Sequence, residues 1–417
     1  MASQSARRDF ALLWTGQSIS LFGDQFMVLA LPLLAVTVLH TSVAQAALLP
    51  FALYLPFLLF GLPAGAFVDR VRRRSMMIGC DLVQTVAFLV IGVLALTGVL
   101  TFPLLLGLVL LAGAATVFFQ VACTSYPPTL FSDPQELHKH NTQLYLSDSV
   151  SKTLGPMAGG PVIAFLGVVG AVLANAVSFA VSVLAVVLIR HREPRPDPTP
   201  RARGWLVRDV REGLAFVFAN PILEPVILCG MTYTIFLGMV EAILVLYCKD
   251  VLGFGPVGIG IVAGAAAFGF PIGNLISVRL VAWQGTARTC VIGTVTSVTG
   301  LIAMPLFGGL GSAVGLVVAS VVHCIGEGAF GPVSLTLRQT HTPAALLGRV
   351  NSVQRFLVWG MLPVGSLLAS FSIANWGLEA AMWIGAVGTA LCVPVLVRRG
   401  IRAGLRRDAD RSDLTRV

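Results

Sequence analysis

The stretch GAFVDRVRRRSMM, residues 65–77, places one carboxylate and four arginines between two long apolar runs. The run before it extends almost unbroken from Val43 to Val68, and another begins directly after it. About twenty apolar residues suffice to cross a bilayer as a helix. The charged stretch therefore predicts a short link at a membrane surface, between two transmembrane helices.

The composition of the whole chain agrees with this interpretation. Of its 417 residues 56% are hydrophobic and 11% charged, and the mean hydropathy is +0.87. Soluble domains average roughly 45–50% apolar and 25% charged residues. No small-residue cleavage site follows the N-terminal MASQSARRDF, so we expect the first apolar segment to stay in the mature protein. The seven cysteines show no C-x-x-C spacing, which predicts neither a metal site nor a disulfide framework.

Twelve segments have the length and hydrophobicity of transmembrane helices. In lipid only a helix or a closed barrel satisfies its own backbone, and the apolar residues here do not alternate as barrel strands require. We therefore predict an all-α integral membrane fold with twelve spans, at about 10–39, 44–68, 75–97, 101–124, 142–166, 169–190, 221–247, 254–281, 287–308, 311–336, 346–371 and 375–398.

The basic residues lie overwhelmingly at one membrane face. Of the 28 Lys and Arg residues we place 25 on the face that the two termini share, two within spans (Lys152 and Arg355) and one, Lys249, opposite. The positive-inside rule makes the arginine-rich face cytoplasmic. The basic residues are not mixed with stacking aromatics on a soluble surface, so the net charge of +9 does not indicate nucleic-acid binding. We expect a multi-pass protein of the inner membrane with both termini in the cytoplasm.

The longest connection between spans, HREPRPDPTPRARGWLVRDVREGLAFVFAN at 191–220, divides the chain into two halves. Its first part is rich in Pro and Arg, whereas its second part predicts an amphipathic helix on the inner leaflet. The predicted organisation is a six-helix bundle over 1–190, this cytoplasmic linker over 191–220, a second six-helix bundle over 221–398 and a basic cytoplasmic tail over 399–417.

The two halves resemble one another. Gly65-x-x-x-Asp69 recurs 208 residues later as Gly273-x-x-x-Ser277. A second pair of anchors recurs at an offset of 210 residues (Asn141 with Gly155, then Asn351 with Gly365). Two nearly equal offsets predict a parallel repeat, and parallel six-span halves are a transporter architecture.

At these residues the chain resembles the major facilitator superfamily. GAFVDRVRRR is similar to the signature G-x-x-x-D-R-x-x-R-R that follows the second span of that family, through Gly65, Asp69, Arg70, Arg73 and Arg74. The resemblance implies the major facilitator fold, with twelve transmembrane helices in two pseudo-symmetric six-helix bundles. It also implies a protein that works as a monomer.

A second motif, SKTLGPMAGG at 151–160, is similar to the fifth-span signature of the superfamily's antiporters, whose tail is G-P-x-x-G-G. Gly155, Pro156, Gly159 and Gly160 match that tail, and two other positions of the full pattern are not glycine here (Thr142, Ser151). The resemblance implies a helix bend and a seal between the halves. Ordinary close packing of spans is the alternative explanation of these small residues.

Two further stretches, RRDFALLWTGQSISLFGDQ and RDVREGLAFVFANP, resemble the branch that contains macrolide-type drug exporters and the enterobactin exporter. One feature departs from the pattern of the superfamily. Many of its proton-coupled drug exporters carry an arginine in the fourth span, and LLAGAATVFFQVAC has none. The resemblance therefore supports the fold more strongly than it supports one particular proton relay.

We hypothesise that the first signature forms a conformational latch, made of Gly65, Asp69, Arg70, Arg73 and Arg74. An acidic residue contributes nothing to positive-inside orientation, so Asp69 needs another explanation. Its carboxylate can face the N-terminal dipole of the eleventh helix, which we expect to begin near Leu347. Arg70 or Arg73 can then bridge to acidic residues of the next link (Asp133, Glu136) while the cytoplasmic side is closed. The alternative is that the arginines only anchor the topology.

Charged residues within spans cost about 2.5–3.5 kcal/mol each near the bilayer centre, so each needs a reason. Asp148 and Lys152 lie one helical turn apart and form either a structural ion pair or part of a substrate or proton site. Arg355 either neutralises a carboxylate or lies near the inner surface. The residues assigned to proton coupling or to the substrate cavity are Asp24, Asp148, Lys152, Glu241, Glu327 and Arg355.

Two other polar residues within or near spans receive structural explanations. His323 lies four residues before Glu327, and we interpret it as a packing residue in preference to a proton relay. Asp81, early in the third span, is expected to be a helix-start residue close to the membrane surface.

The function that these residues favour is secondary active export of a small amphiphilic molecule by proton antiport with alternating access. The chain contains no phosphate-binding loop, so its energy should come from an ion gradient. Its partners would be the substrate, protons and the lipid bilayer, and no cofactor or metal is predicted. The alternatives are a siderophore exporter, a proton-coupled importer of the same fold, and a receptor or lipid scramblase. No H-E-x-x-H motif or nucleophile elbow is present, so we do not expect an enzyme.

Overall fold

The computed structural model describes residues 4–68, 70–131, 133–191, 193, 205–343 and 346–397. Across these ranges the regular structure is helical, and eleven helical stretches are long and apolar enough to cross a membrane. One of them, Leu146–Val187, covers both the fifth and the sixth predicted spans. The prediction of an all-α membrane fold is thereby confirmed.

Residue contacts divide the chain into two compact units. The N-terminal unit comprises Met1–Ala202 together with the short segment Phe254–Ile261. Its helices are α1 (Gln4–Thr37), α2 (Val43–Ala46), α3 (Leu49–Val68), α4 (Arg73–Leu96), α5 (Phe102–Thr124), α6 (Pro127–Leu130) and α7 (Pro134–Val187). Within the unit α1 and α4 pack against α7, and α5 packs against α3 and α4.

The C-terminal unit comprises Arg203–Gly253 and Val262–Val417. Its helices are α8 (Trp205–Ala219), α9 (Leu223–Asp250), α10 (Pro256–Ala267, whose first residues group with the N-terminal unit), α11 (Gly269–Gln284), α12 (Thr286–Gly309), α13 (Ala313–Thr340), α14 (Leu347–Gln354), α15 (Leu362–Trp376), α16 (Leu378–Gly388) and α17 (Cys392–Leu396). A π-helical segment, Arg355–Trp359, joins α14 to α15. The two units differ from the predicted bundles, 1–190 and 221–398, in two places. The linker helix α8 groups with the C-terminal unit, and the segment Phe254–Ile261 groups with the N-terminal unit.

Many large apolar side chains point outward instead of into the units. Phe165 is 89% exposed, and Leu275 and Val278 are exposed to a similar degree. Water would penalise such surfaces, whereas lipid tails are as apolar as the side chains themselves. The buried positions hold polar residues as well as apolar ones, and Ser151, for example, is fully buried in α7. This distribution is typical of a multi-pass membrane protein.

The predicted amphipathic helix is present as α8. Its apolar face was expected to lie against the inner leaflet, but part of that face packs against protein instead. Val217 is fully buried and packs with Leu223 and Val350 in one apolar cluster. Gly213 permits the close approach, since a Cβ there would lie 2.9 Å from Val353 Cγ2. The side of α8 that carries Val217 therefore covers the start of α14 instead of lipid.

Three glycines turn the chain sharply between consecutive spans with nearly identical backbone angles. Gly167 has φ 74° and ψ 170° between the fifth and sixth spans. Gly377 has φ 85° and ψ 171° between the eleventh and twelfth, and Gly285 has φ 84° and ψ 171° between α11 and α12. This region of backbone space is essentially restricted to glycine. Gly167 and Gly377 lie 210 residues apart, which is the offset of the predicted parallel repeat.

Candidate functional site

Asp24 lies in the middle of α1, half-buried, and interacts with the second half of α7. Its partner is the side chain of Asn175, which is fully buried. Asn175 Nδ2 makes no full hydrogen bond with a described residue, so the Asp24–Asn175 pairing is long. Gly23 lets the helices approach, because a Cβ there would collide with Asn175 and Ser178. The group that accompanies this mid-span carboxyl is thus an uncharged carboxamide.

Asp81 is not a surface residue at the start of a helix, and that expectation is wrong. The residue is fully buried, eight positions into α4, and its Oδ2 accepts a 2.6 Å hydrogen bond from Ser182 Oγ on α7. Its Oδ1 has no hydrogen-bond partner among the described residues. Asp81 and Asp24 are close enough for their charges to interact. We call Asp24, Asp81, Asn175 and Ser182 the N-terminal polar cluster.

Hydrogen bonds between side chains extend from this cluster across the neighbouring helices. Thr116 Oγ1 on α5 donates to Gln84 Oε1 on α4 at 3.1 Å. Cys123 Sγ on α5 donates to Gln17 Oε1 on α1 at 2.9 Å. Buried polar groups in lipid must find such partners within the protein. The interior of the N-terminal unit therefore holds paired polar side chains on α1, α4 and α5.

A second polar cluster lies in the C-terminal unit and consists of Tyr233, Ser297, His323 and Glu327. His323 Nδ1 lies 2.8 Å from Ser297 Oγ and 3.2 Å from the Tyr233 hydroxyl, and those two hydroxyls are 2.6 Å apart. His323 Nε2 lies 3.6 Å from Glu327 Oε2. Glycines at the contact between α12 and α13 bring these side chains together, since a Cβ on Gly300 would collide with the backbone of His323.

This C-terminal polar cluster borders a small internal cavity. The cavity has a volume of about 30 Å³, and its lining includes Tyr233, Thr294, Ser297 and Glu327. A polar cavity of roughly 10–15 Å³ already has room for a water molecule. A water there would need two to four polar partners, but the wall atoms that face this cavity are apolar, and the Tyr233 and Ser297 hydroxyls bond to each other and to His323 instead. The C-terminal polar cluster therefore links Glu327 to the Tyr233 and Ser297 hydroxyls through the His323 ring.

The other predicted charges within spans have separate surroundings. Glu241 on α9 is exposed, and its charge interacts with that of Glu327. Lys152 Nζ lies 2.8 Å from Asp148 Oδ2, so the predicted ion pair forms, with the lysine side chain 61% exposed. Arg355 is exposed at the start of the π-helical segment. Such segments are frequent at functional sites, because the extra residue re-aims the side chains that follow.

The glycines of the antiporter-like motif lie at three close helix contacts. A Cβ on Gly155 would collide with Gln25 of α1, and one on Gly159 would lie 3.2 Å from Phe26. A Cβ on Gly160 would lie 2.6 Å from the backbone oxygen of Pro256, within the segment that groups with the N-terminal unit. Pro156 continues α7, whose backbone leaves helical angles at Gly167. Close packing accounts for the glycines, and a bend at Pro156 stays a prediction.

Asp69, the centre of the predicted latch, lies outside the described residues, and Gly65 lies in the last turn of α3. Arg70 is exposed. Arg74 has a structural role, because its guanidinium donates to the carbonyl oxygens of Val186 at 3.1 Å and Val187 at 2.7 Å. The arginine thus satisfies carbonyls at the C-terminal end of α7, as basic side chains often do.

Other polar contacts tie the same end of the unit together. Glu136 Oε1 accepts a 2.7 Å bond from Arg7, and the carboxyl also lies 3.3 Å from His140 Nε2. Asp9 accepts backbone N–H bonds of 2.8–3.2 Å from His191 and Arg190. The bridge from Arg70 or Arg73 to Asp133 or Glu136 remains a prediction, whereas the expected start of the eleventh helix near Leu347 agrees with α14.

Sequence reasoning missed four residues of the two polar clusters: Asn175, Ser182, Tyr233 and Ser297. Each is uncharged, and each lies in an apolar span where such residues also occur for packing. A usable signal was present for Ser182, which lies seven residues after Asn175 and therefore on the same face of α7. Their partners on α1, α4 and α13 lie far away in sequence, and only the fold reveals them.

Comparison with known proteins agrees with this architecture. The protein is similar to macrolide efflux protein A of Streptococcus pyogenes, at 24% identity over 93% of this chain and 94% of that protein. It is also similar to the multidrug efflux pump Tap of Mycolicibacterium fortuitum, at 27% identity over 90% of each chain. Among solved structures, a bacterial homologue of the iron transporter ferroportin in its inward-facing state matches with a TM-score of 0.75, at 17% identity over 94% of this chain and 98% of that one.

The family assignment rests on most of the chain. The profile of the Major Facilitator Superfamily matches residues 13–365, which include both polar clusters and both motifs from the sequence. The helices of this region have the length and composition of membrane spans. The chain belongs to the Major Facilitator Superfamily.

Proposed function

We propose that the protein exports small amphiphilic molecules, such as drugs or antibiotics, by exchanging them for protons. The observation that carries the proposal is the presence, in each unit, of a mid-span carboxyl group that has no lysine or arginine beside it among the described residues. Asp24 and Asp81 are accompanied by Asn175 and Ser182, and Glu327 by an imidazole. A carboxyl in such surroundings can take up and release a proton during the transport cycle.

Energetics and the names of the relatives both support outward transport of the substrate. A proton moving inward carries about 2.3 kcal/mol per 100 mV of membrane potential, which can drive a substrate outward. Both named relatives are efflux proteins by name, which favours export over the import alternative. We place both termini in the cytoplasm on the strength of the bias in basic residues, 25 of 28 on one face.

The chemistry of the clusters favours a neutral or cationic substrate. Neither polar cluster, as defined by its described residues, includes a lysine or an arginine. Lys152 is held by Asp148 at 2.8 Å. An anionic siderophore would need a cation to receive it, and the exposed Arg355 is the residue that would serve that alternative.

Inverted membrane vesicles from an efflux-deficient bacterial host provide the test. With a macrolide as the probe and a pH-sensitive dye inside the vesicles, substrate addition should release protons, and an uncoupler should stop macrolide uptake. Asp24→Asn, Asp81→Asn and Glu327→Gln should each weaken this coupling. The double variant Lys249→Gln/Asp250→Asn, which removes an ion pair outside both polar clusters, is the matched control and should retain it. Macrolide uptake that persists at full rate with the uncoupler present would overturn proton antiport.

The latch hypothesis is tested separately. We propose that Asp69 favours closure of the arginine-bearing side by facing the start of α14, in line with the interaction of a carboxylate with a helix N-terminus. In Asp69→Asn, labelling of cysteines placed at each membrane face should shift towards an open cytoplasmic side, and transport should fall. Unchanged labelling and unchanged transport would exclude a latch.

A further inference from the structure

An apolar groove runs along the outside of the N-terminal unit, between α4 and α5. One face of α4 supplies Ser75, Gly79 and Val83, spaced four residues apart, and α5 supplies Leu111 and Phe118 opposite them. The groove has a volume of about 470 Å³, within the range of roughly 300–1,000 Å³ of ligand pockets. Its walls are open, with Val83 37% and Leu111 50% exposed. Neither polar cluster borders it.

The shape of the groove suits a hydrocarbon chain. From Ser75 to Val83 the helix rises about 12 Å, so the groove runs along the helix axis. Gly79 leaves its floor empty, because nothing lies within 4 Å of where a Cβ would be. At the far wall, Phe118 packs against the rings of Phe60 and Phe67 of α3 at 5.8 and 5.6 Å, which holds that wall in place.

One end of the groove is strongly basic. Val71 lines the groove, and the residues on either side of it, Arg70 and Arg72, are exposed. Arg74 is engaged with the end of α7, and Glu193, the acidic group that meets its backbone N–H, is 93% buried and turned inward. The stretch 65–77 as a whole carries four arginines against one carboxyl.

We propose that this groove binds an anionic phospholipid, with an acyl chain along Gly79 and Val83 and its phosphate against Arg70 and Arg72. The match is one of charge and shape: a basic rim lies at the membrane surface and an apolar slot leads away from it into the hydrocarbon. Basic pockets between transmembrane helices recognise anionic headgroups in this way. The arginines thereby gain a role beyond topology, and the role does not depend on the substrate that the protein transports.

The test uses the full-length protein, purified in detergent and stripped of lipid. Native mass spectrometry and thermal melting are measured with phosphatidylglycerol and with phosphatidylethanolamine of the same acyl chains. Phosphatidylglycerol should bind saturably and raise the melting temperature, and phosphatidylethanolamine should bind about tenfold more weakly or worse. Glycerol 3-phosphate, a headgroup without chains, should not bind.

Three variants separate the headgroup from the chain. Arg70→Gln/Arg72→Gln should weaken phosphatidylglycerol binding by about tenfold to thirtyfold. Arg72→Gln alone, outside the proposed latch, should show a smaller loss. Gly79→Leu fills the groove with the arginines intact and should weaken the binding of both lipids. The control Arg8→Gln/Arg190→Gln removes two exposed arginines elsewhere in the same unit and should bind normally.

Several outcomes would overturn the proposal. Equal binding of the two lipids would show that the groove is an ordinary lipid-facing surface with no preference for an anionic headgroup. An equal loss in the Arg8→Gln/Arg190→Gln control would mean that total charge decides binding, and glycerol 3-phosphate binding would point to a soluble phosphate ligand. Displacement of the lipid by a macrolide would assign the groove to the transported substrate instead.

Discussion

Ser182 Oγ donates a 2.6 Å hydrogen bond to Asp81 Oδ2 and so joins the third and sixth spans inside the N-terminal unit. In Ser182→Ala the buried carboxyl loses this donor, and its other oxygen already lacks a partner among the described residues. Hydrogen bonds between membrane helices contribute about 0.6–1.7 kcal/mol, so the melting temperature in detergent should fall by a few degrees. Ser182→Thr keeps the hydroxyl and is the control. Equal melting of all three proteins would show that the bond contributes nothing to stability.

The Tyr233 hydroxyl is 2.6 Å from Ser297 Oγ and 3.2 Å from His323 Nδ1, which makes it part of the C-terminal polar cluster. Tyr233→Phe keeps the ring and removes the hydroxyl, so we expect proton-coupled transport to fall several-fold with little change in protein level. Tyr247→Phe, in the same helix and outside the cluster, is the matched control and should retain transport. Similar transport in the two variants would exclude a role for the C-terminal polar cluster.

Gly160 packs so tightly that a Cβ would lie 2.6 Å from the backbone oxygen of Pro256. Gly160→Leu should abolish efflux while the protein remains in the membrane, because overpacking forces helices apart without removing their apolar surface. We expect the same of Gly159→Leu, which meets Phe26. Gly107→Ala, where nothing lies within 4 Å, should be active. Transport into vesicles and the amount of protein in the membrane are measured together, so that a loss of activity can be distinguished from a loss of protein.

Linker helix α8 is held by packing more than by charge. Arg349 Nη1 lies 2.7 Å from Glu212 Oε2, but the two side chains are 31% and 49% exposed, and exposed pairs contribute about 0.2–1 kcal/mol. Val217 is fully buried, so Val217→Ala should cost about 2 kcal/mol. Thermal melting should therefore show a larger drop for Val217→Ala than for Glu212→Gln. The reverse order would mean that the ion pair, and not the apolar cluster, fixes α8.

The turns at Gly167 and Gly377 require glycine, since both residues have φ near 80° with extended ψ. Replacing either with alanine should cost about 1–3 kcal/mol of stability. Gly309→Ala, at a helical position with open space around it, is the control and should melt like the parent protein. Normal melting of Gly167→Ala and Gly377→Ala would show that these turns relax without cost.

The membrane fold was predictable because hydrophobicity and charge are local signals. Each span can be recognised from its own composition. The break between the fifth and sixth spans falls at Gly167, in the predicted gap between 166 and 169. The family followed from short motifs such as Gly65-x-x-x-Asp69 and Gly155-Pro156, which need no knowledge of contacts. The helical part of the linker was found for the same reason.

The interior of the site was harder to predict because partners in a bundle are distant in sequence. Counting residues from the end of the third span predicts that Asp81 lies near the membrane surface. In the structure α4 begins at Arg73 and Asp81 is completely buried. His323 was interpreted as a packing residue, although two hydroxyls from other helices meet its ring. The packing of α8 was missed because amphipathicity identifies an apolar face without saying whether lipid or protein covers it.

The turns at Gly167 and Gly377 have the same backbone geometry, which bears on the relationship between the two halves. Two corners of one backbone geometry lie 210 residues apart, at the offset of the predicted parallel repeat, where duplication of a six-helix unit would place them. The polar clusters of the two halves differ. One holds two aspartates with an amide and a serine, and the other holds a tyrosine, a serine, a histidine and a glutamate. Chain reversal tolerates one residue type at these corners, whereas the polar interior was free to specialise, so the two halves now contribute different chemistry to one molecule.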